Sequence, residues 1–441
     1  MQAPDKKPEF LCMAPWTHTY LSPQTERRLC CASREPSQNF EQYIDTESGT
    51  GEYLPMSLEE WWNSEHVRSV RRTMMKGDIP DACQVCNHKL LNTDVYRSYF
   101  EHMFKHRYDE IWTSTDATGH TEMKPISWDY RFSNLCNFKC RTCGDMLSSS
   151  WETEQRKHKM VDWGNSKNNW MRPEVKRNIT KFQDTQIEKE FSEAVEQHRI
   201  EEIYWVGGEP LMYEQHWRYM KRIVELGDGP KLYARYNTNL SRIDYKGVNL
   251  YKDILCNIRD WQICASIDGT GDIGEYIRTG LDYQQFLCYY KQAQEIQTND
   301  RQMRLDFTLT LPGLFEIENM FWLSKELNTQ LLAKTIFAFT PDIAMSPLAL
   351  PREALHNYVN QVLDRIRPHH TTQQLPLLDV LEQLLTRPTL EEQFGKESYY
   401  DGMKKGKQRI IRLESIRKAN IDMATILERD PGMHKWWNSI D

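Results

Sequence analysis

The chain has 441 residues, 39% hydrophobic and 27% charged, with 14 tryptophans and 21 tyrosines, which suits roughly three domain-sized units or one large barrel with additions. A formal net charge of −7 argues against a general nucleic-acid or polyanion binder, and no run of about 18 apolar residues reads as a membrane span. The opening Met1-Gln-Ala-Pro-Asp-Lys-Lys-Pro8 lacks the apolar core of a signal peptide, so a cytoplasmic location is expected, where the eleven cysteines serve as metal ligands and buried thiols rather than disulfides.

Residues 1–121 read as a separate unit built on Cys12, Cys30, Cys31, Cys83 and Cys86. Phe10 to Trp16, a turn at Leu21 to Thr25 and the stretch Arg27 to Cys31 predict a strand, a turn and a returning strand that bring Cys12 close to Cys30 or Cys31. A single helix follows, with Ser57 and Glu60 as its capping box, Leu58, Trp61, Val67, Val70 and Met74 as its apolar face and Gly77 as its stop. It delivers the chain to Cys83-Gln-Val-Cys86. Four thiolates in this layout suit either a closed zinc site or an iron–sulfur cluster. His88 reads as a solvated turn residue, and the aromatics from Tyr96 to Trp112 have helical spacing suited to packing.

Ile126-Ser-Trp-Asp-Tyr-Arg-Phe132 alternates like a strand and leads through Asn134-Leu135 into Cys136-Asn-Phe-Lys-Cys140-Arg-Thr-Cys143. Three thiolates in eight residues can surround one four-iron cluster yet leave one iron open. Zinc sites more commonly pair Cys-x2-Cys units, which this spacing fits poorly. Beyond a polar insertion, Asp184 or Thr185 is the expected cap of a helix whose buried face holds Ile187, Phe191, Ala194 and Val195.

Five more strands are predicted, at 203–206, 232–236, 262–267, 303–309 and 332–339, spaced for parallel β-α units. With the first strand they make α/β architecture, a partial (β/α)6 TIM-like barrel whose active-site groups sit at strand C-terminal ends. There lie Gly207-Gly208-Glu209-Pro210, Asn237-Thr-Asn239 and Ser266-Ile-Asp268-Gly269. The glycines permit close backbone approach and Glu209 suits a cationic amino group. Asp268-Gly269 reads equally well as an ordinary turn, and Arg278 as a carboxylate ligand or a surface residue. Cys256, Cys264 and Cys288 are expected in the core. From Pro347 the pattern turns helical, with a face of Leu355, Tyr358, Val359, Val362, Leu363 and Ile366 ended by Pro368, a second stretch at 375–385, and a basic run from Lys404 to Lys418 that reads as a solvated helix side.

The triplet followed one strand later by GGEP resembles the radical S-adenosylmethionine superfamily. The resemblance implies a 4Fe-4S cluster on Cys136, Cys140 and Cys143 whose open iron takes the amino and carboxylate groups of S-adenosylmethionine and reduces it to a 5'-deoxyadenosyl radical. It implies Gly207, Gly208, Glu209, Pro210, Asn237, Ser266 and Asp268 as the S-adenosylmethionine contacts. One departure is Thr142, where the family often has an aromatic residue. The N-terminal set resembles the twitch module, the shorter relative of the SPASM domain, placed ahead of the barrel rather than after it. That implies an auxiliary 4Fe-4S cluster on Cys12, Cys30, Cys83 and Cys86, with Cys31 as rival to Cys30 and Thr25 or Glu26 where the turn usually has glycine. The implied organisation is a cluster module at 1–121, a barrel at 122–345 and a helical extension at 346–441. The implied partners are S-adenosylmethionine, an external one-electron donor such as flavodoxin or ferredoxin, and a substrate among which peptides are expected. The rival expectation is a non-catalytic, zinc-stabilised binding protein with a vestigial barrel. Metal analysis separates the two.

Overall fold

The computed structural model describes residues 7–35, 55–87, 95–336, 340 and 343–440, so His88 and positions 337–339 of the last expected strand lie outside the described residues. The chain divides into two compact units, one of Met1–Leu135, Glu152–Arg235 and Val248–Trp261, the other of Cys136–Trp151, Tyr236–Gly247 and Gln262–Asp441.

In the first unit, strand β1 (His18–Leu21) pairs antiparallel with β2 (Arg27–Arg28), Tyr20 opposite Arg28. Cys12 to Trp16, expected in a strand, instead ends in a helical turn over Ala14–Thr17 that Pro15 favours near its start. The turn between β1 and β2 closes without glycine. Thr25 takes the left-handed conformation, φ 66°, while the Ser22 hydroxyl accepts from the backbone N–H groups of Gln24 and Glu26.

The helix expected across 57–77 is two helices, α1 (Leu58–Trp62), with its Ser57–Glu60 capping box, and α2 (Glu65–Met75), capped anew by Ser64. The break is set from afar. Asn63 Oδ1 accepts from Arg71 Nη1 at 2.8 Å and from Thr121 N–H at 3.1 Å, and its amide donates to the Thr121 carbonyl at 3.2 Å, contacts a continuous helix would forfeit. Gly77 ends α2 with φ 88° as expected. Helices α3 (Val95–Phe104) and α4 (Tyr108–Ser114) carry the aromatic run, and Phe100, Phe104, Ile111 and Trp112 pack with Leu11, Trp16, Val67, Val70 and Met74. Cys12, Cys30 and Cys83 lie against this core.

Strand β3 (Ser127–Tyr130) joins β1 in parallel, His18 opposite Ser127, and pairs in parallel with β4 (Glu202–Trp205). Between them run α5 (Pro173–Phe182) and α6 (Glu188–Glu196), joined by a π-helical turn over Gln183–Ile187. No cap forms at Asp184 or Thr185, because the helix runs through them; the expected apolar face, from Ile187 to Val195, is buried. Arg27 fastens the cysteine-bearing segment to this framework. Its Nη2 meets both Glu190 carboxylate oxygens at 2.8 and 2.7 Å, its Nη1 donates to the Tyr130 hydroxyl at 2.9 Å, and its Nε donates to the Met56 carbonyl at 2.6 Å. Glu190 also accepts from the Leu58 N–H at 2.7 Å. Helix α7 (Glu214–Glu225) and strand β5 (Tyr233–Thr238) follow.

The second unit carries β6 (Asp260–Ser266), α8 (Gly271–Ile277), α9 (Tyr283–Ile296), β7 (Met303–Leu309), α10 (Ile317–Glu326) and β8 (Gln330–Thr335), with β6, β7 and β8 paired in parallel. All six expected strands are therefore present, and the fold is α/β with parallel strands and intervening helices. The longer helices after residue 346 are α11 (Arg352–Ile366), α12 (Leu375–Thr386) and α13 (Lys396–Arg417). Of the three cysteines expected in the core, only Cys264, on β6, is buried; Cys256 and Cys288 are exposed. They stand in a short helical turn and on the outward side of α9, where a small side chain imposes no burial. Among the described residues no helix is long and apolar enough to cross a membrane.

Candidate iron–sulfur and cofactor sites

In the first unit, Cys12, Cys30, Cys83 and Cys86 line one small cavity with Leu29, Ala82 and Met74. Burial pushes the thiols of Cys30 and Cys83 well up, and the neighbouring cysteines add to the shift in both. Thiols crowded in apolar surroundings fit a cationic centre that stabilises their thiolates. The loop bearing Cys30 is braced. Ser33 Oγ lies 2.9 Å from both the Cys30 carbonyl oxygen and Glu35 Oε1, and the same carboxylate accepts from Leu29 N–H and meets His66. Cys31 is not among the residues that line this cavity; burial raises its thiol, and Asp129 and Tyr96 act on it.

The glycine turn after β4 sits on the backbone that leads into Cys136. A Cβ on Gly208 would lie 2.3 Å from the Leu135 carbonyl oxygen, and Glu209 N–H donates to that same oxygen at 2.8 Å. Gly207 has φ 126°, and Gly208 N–H donates to the Tyr213 hydroxyl at 2.8 Å, which in turn donates to the Ser133 carbonyl at 2.7 Å. Pro210 opens the helical turn that follows, and the buried Glu209 carboxylate accepts from Leu211 N–H at 3.0 Å. A carboxylate with 1% exposure in such a turn suits an ammonium ligand.

In the second unit the cysteine loop is tied by its own backbone. Lys139 N–H donates to the Thr279 carbonyl at 2.8 Å and Arg141 N–H to the Ile277 carbonyl at 2.7 Å. The Cys136 carbonyl accepts from the Ser150 hydroxyl at 2.8 Å, and the Phe138 carbonyl from the Ser148 hydroxyl at 2.6 Å. Gly280, φ 114°, makes room for the loop, since a Cβ there would stand 2.9 Å from the Phe138 ring. Burial pushes the Cys140 thiol up to about 12 and raises Cys143 as well, with the Arg278 guanidinium opposing both shifts. Among the described residues no three His, Cys, Asp or Glu side chains are arranged to hold a single metal ion.

Asp268 is more than a turn residue. It is fully buried and ion-paired with Arg278: Oδ1 accepts from Nη2 at 3.2 Å and from Thr308 N–H at 3.0 Å, while Oδ2 lies 2.9 Å from Nε without the angle of a hydrogen bond. Arg278 Nη1 stands 3.9 Å from Cys140 Sγ, so the arginine is an inward-facing cation rather than a surface one. Asn237 donates to Asp306 Oδ2 at 3.1 Å, which also accepts from Lys334 Nζ at 3.1 Å, and Ser266 is the register partner of Asp306. A cavity of about 500 Å³ is lined by Thr142, Cys143, Thr308, Lys334, Met345 and Ile410, among others.

Several of these residues escape sequence reasoning. Asp129 on β3 and Arg131 just after it, paired at 3.1 Å, alternate with Trp128 and Tyr130, and that alternation is the available signal for a charged face. Asp306 shows the same pattern on β7. Tyr213 carries no such signal, because only its distant partner Ser133 reveals it.

The α/β fold thus carries two cysteine sets whose buried thiols are of the donor chemistry that iron–sulfur clusters use, and a glycine turn packed on the backbone of Asn134 and Leu135. Residues 12–87 match the SPASM family, described as an iron-sulfur cluster-binding domain. The matched segment carries Cys12, Cys30, Cys83 and Cys86, so this part of the chain is similar to a module that binds an iron–sulfur cluster.

Among solved structures the chain is similar to Streptococcus suis SuiB bound to precursor peptide SuiA, at 13% identity over 66% of this chain and 57% of that one, TM-score 0.34. It is similar to native anSMEcpe with bound AdoMet at 16% identity over 53% of this chain and 58% of that one, TM-score 0.34. SuiB bound to S-adenosylmethionine matches at 12% identity over 72% of this chain and 64% of that one, TM-score 0.32. Likenesses this slight carry no argument about activity, and the chain spans under three fifths of the first two structures' lengths. No curated protein matches the chain.

Proposed function

We propose that the chain is an enzyme that reductively cleaves S-adenosylmethionine and uses the resulting radical to abstract hydrogen from a substrate, for which a peptide or protein segment is the first class to test. The observation that carries this reading is the union of the GGEP turn with the backbone that enters the cysteine triplet, through the Leu135 carbonyl and the close approach only Gly208 permits. When bound, the open-iron cluster and S-adenosylmethionine supply the one-electron cleavage that yields a 5'-deoxyadenosyl radical.

The chain's own residues bind, orient and exclude water. Cys136, Cys140 and Cys143 hold the cluster and Glu209 receives the ammonium of S-adenosylmethionine. Asn237 and Ser266 offer an amide and a hydroxyl to its ribose and carboxylate. Asp268 orients Arg278, whose charge also faces Cys140. Cys12, Cys30, Cys83 and Cys86 hold a closed auxiliary cluster, suited to carrying an electron rather than ligating substrate, and flavodoxin or ferredoxin supplies the reducing electron. Anaerobic reconstitution followed by dithionite should yield 5'-deoxyadenosine, and iron near eight per chain is expected for two four-iron clusters, roughly, against one zinc for a scaffold. Nucleoside production no greater than that of a C136A/C140A/C143A control sinks the proposal.

A further inference from the structure

The last residue of α13 reaches the three-cysteine loop. Arg417 Nη1 donates to the Lys139 carbonyl at 2.8 Å and lies 3.3 Å from the Thr279 hydroxyl. Its guanidinium carbon stands 4.4 Å from the centre of the Trp151 ring, and the Arg409 guanidinium lies 5.8 Å from the same ring. Trp151 is itself buried and donates its Nε1–H to the Cys140 carbonyl at 2.7 Å. One turn back along α13, Glu414 accepts from the Tyr276 hydroxyl at 2.5 Å and from Met423 N–H at 2.9 Å. The Arg141 guanidinium lies over the Tyr276 ring at 3.9 Å and its Nε donates to the Tyr276 carbonyl at 2.9 Å.

Residues 139, 140 and 141 are thus each held by α13, directly or through one intervening side chain. A three-thiolate site has no fourth protein ligand to fix its geometry, so loop rigidity must come from outside the ligand set. We propose that α13, acting through Arg417 and Glu414, is a brace for the three-cysteine loop, and that both are positioning residues for the cluster there. The proposal rests on the reading that this triplet holds a cluster. The basic run at 404–418 is therefore only partly a solvated helix side: Arg417 spends its charge on a carbonyl of the loop and on an aromatic face.

The test uses full-length protein, reconstituted anaerobically, in wild-type, R417A and R417K forms, with C136A/C140A/C143A to identify the auxiliary cluster's signals. Iron loss to a chelator and the electron paramagnetic resonance spectrum of reduced protein, with and without S-adenosylmethionine, are the readouts. In R417A the triplet cluster should lose iron about tenfold faster than in wild type while the auxiliary cluster keeps its rate, and the spectral response to S-adenosylmethionine should shrink accordingly. R417K, which retains a cation and a donor, should recover much of the difference. Triplet-cluster loss at the wild-type rate, or equal acceleration at both clusters, overturns the brace. A wild-type protein with one cluster and no spectral response to S-adenosylmethionine defeats the underlying reading instead.

Discussion

Substituting Gly208 by alanine tests the arrangement on which the proposed activity depends. The added methyl would sit 2.3 Å from the Leu135 carbonyl oxygen and 2.9 Å from the carbonyl carbons of Asn134 and Leu135. All three are backbone atoms of the segment entering Cys136, so no rotamer change relieves the overlap. The turn must withdraw by roughly 1.1 Å to reach an ordinary contact. That movement weakens the hydrogen bond from Glu209 N–H to the Leu135 carbonyl and shifts the buried Glu209 carboxylate with it. Overpacking of this kind costs about 1–3 kcal/mol of stability. A misplacement approaching an ångström costs on the order of a hundredfold in a positioned reaction. G208A should therefore bind S-adenosylmethionine tenfold to a hundredfold more weakly, about 1.4–2.8 kcal/mol, while keeping iron at both cysteine sets. Titration of the reduced cluster's spectrum with S-adenosylmethionine measures the affinity, and iron analysis checks the clusters. Affinity within twofold of wild type would refute the reasoning, because it would mean that the turn can retreat without disturbing the ligand.

Cys30→Ala should lose the auxiliary cluster and Cys31→Ala keep it, read as iron per chain; the reverse result would reassign the two neighbours. His216 is fully buried and its pKa falls to about 3 from burial alone, below the ordinary 6.5 that holds when the chain is unfolded. The unfolded chain then binds a proton that the folded one does not, so stability drops as pH falls below 6.5 towards about 3, at about 1.4 kcal/mol per pH unit. H216F should cut the loss between pH 7 and pH 5 by about 2 kcal/mol in denaturant titrations, and parallel declines for variant and wild type would count against it. His18, held near the same value by burial with Arg235 and Arg131 adding to it, continues to contribute with the same sign. Replacing Arg27 by methionine leaves the buried Glu190 carboxylate without its cation and should cost about 3–5 kcal/mol, visible as a lowered melting midpoint. R27K should fall between, since one ammonium cannot reproduce the bidentate contact.

What the sequence made legible was what is local. Cysteine spacing, the GGEP turn and the period-two alternation of six strands depend on neighbours a few residues away, and the six strands are found in place. The left-handed residue in the β1–β2 turn shows how local physics can be satisfied without the usual residue. Thr25 adopts φ 66° because Ser22 ties the turn from inside, so the missing glycine did not mean a missing turn. What remained hidden depends on partners far along the chain. Asn63 breaks a helix because Thr121 and Arg71 reward the break, and Asp268 becomes a buried ligand of Arg278 rather than a turn.

The same distinction explains why the charged residues of β3 and β4 are not legible as buried groups in the sequence. On β3, Ser127 and Asp129 share one face, and on β4 Glu202 shares one with Tyr204. In a sequence each looks like the solvated side of a half-exposed strand. In the fold Ser127, Asp129 and Glu202 are buried; Tyr99 donates to Glu202 at 2.8 Å, and Arg235 lies over the Tyr99 and Tyr204 rings at 4.2 and 3.8 Å. Burying that many polar groups costs free energy unless each is answered by another, and Tyr99 comes from the same N-terminal stretch as the auxiliary cysteines. The cysteine-bearing stretch is therefore not an appendage that could be removed to leave the remaining strands intact. Deleting residues 1–121 would strip Glu202 of Tyr99 and Tyr130 and Glu190 of Arg27, and the truncated chain is expected to fold poorly for that electrostatic reason before any question of iron arises.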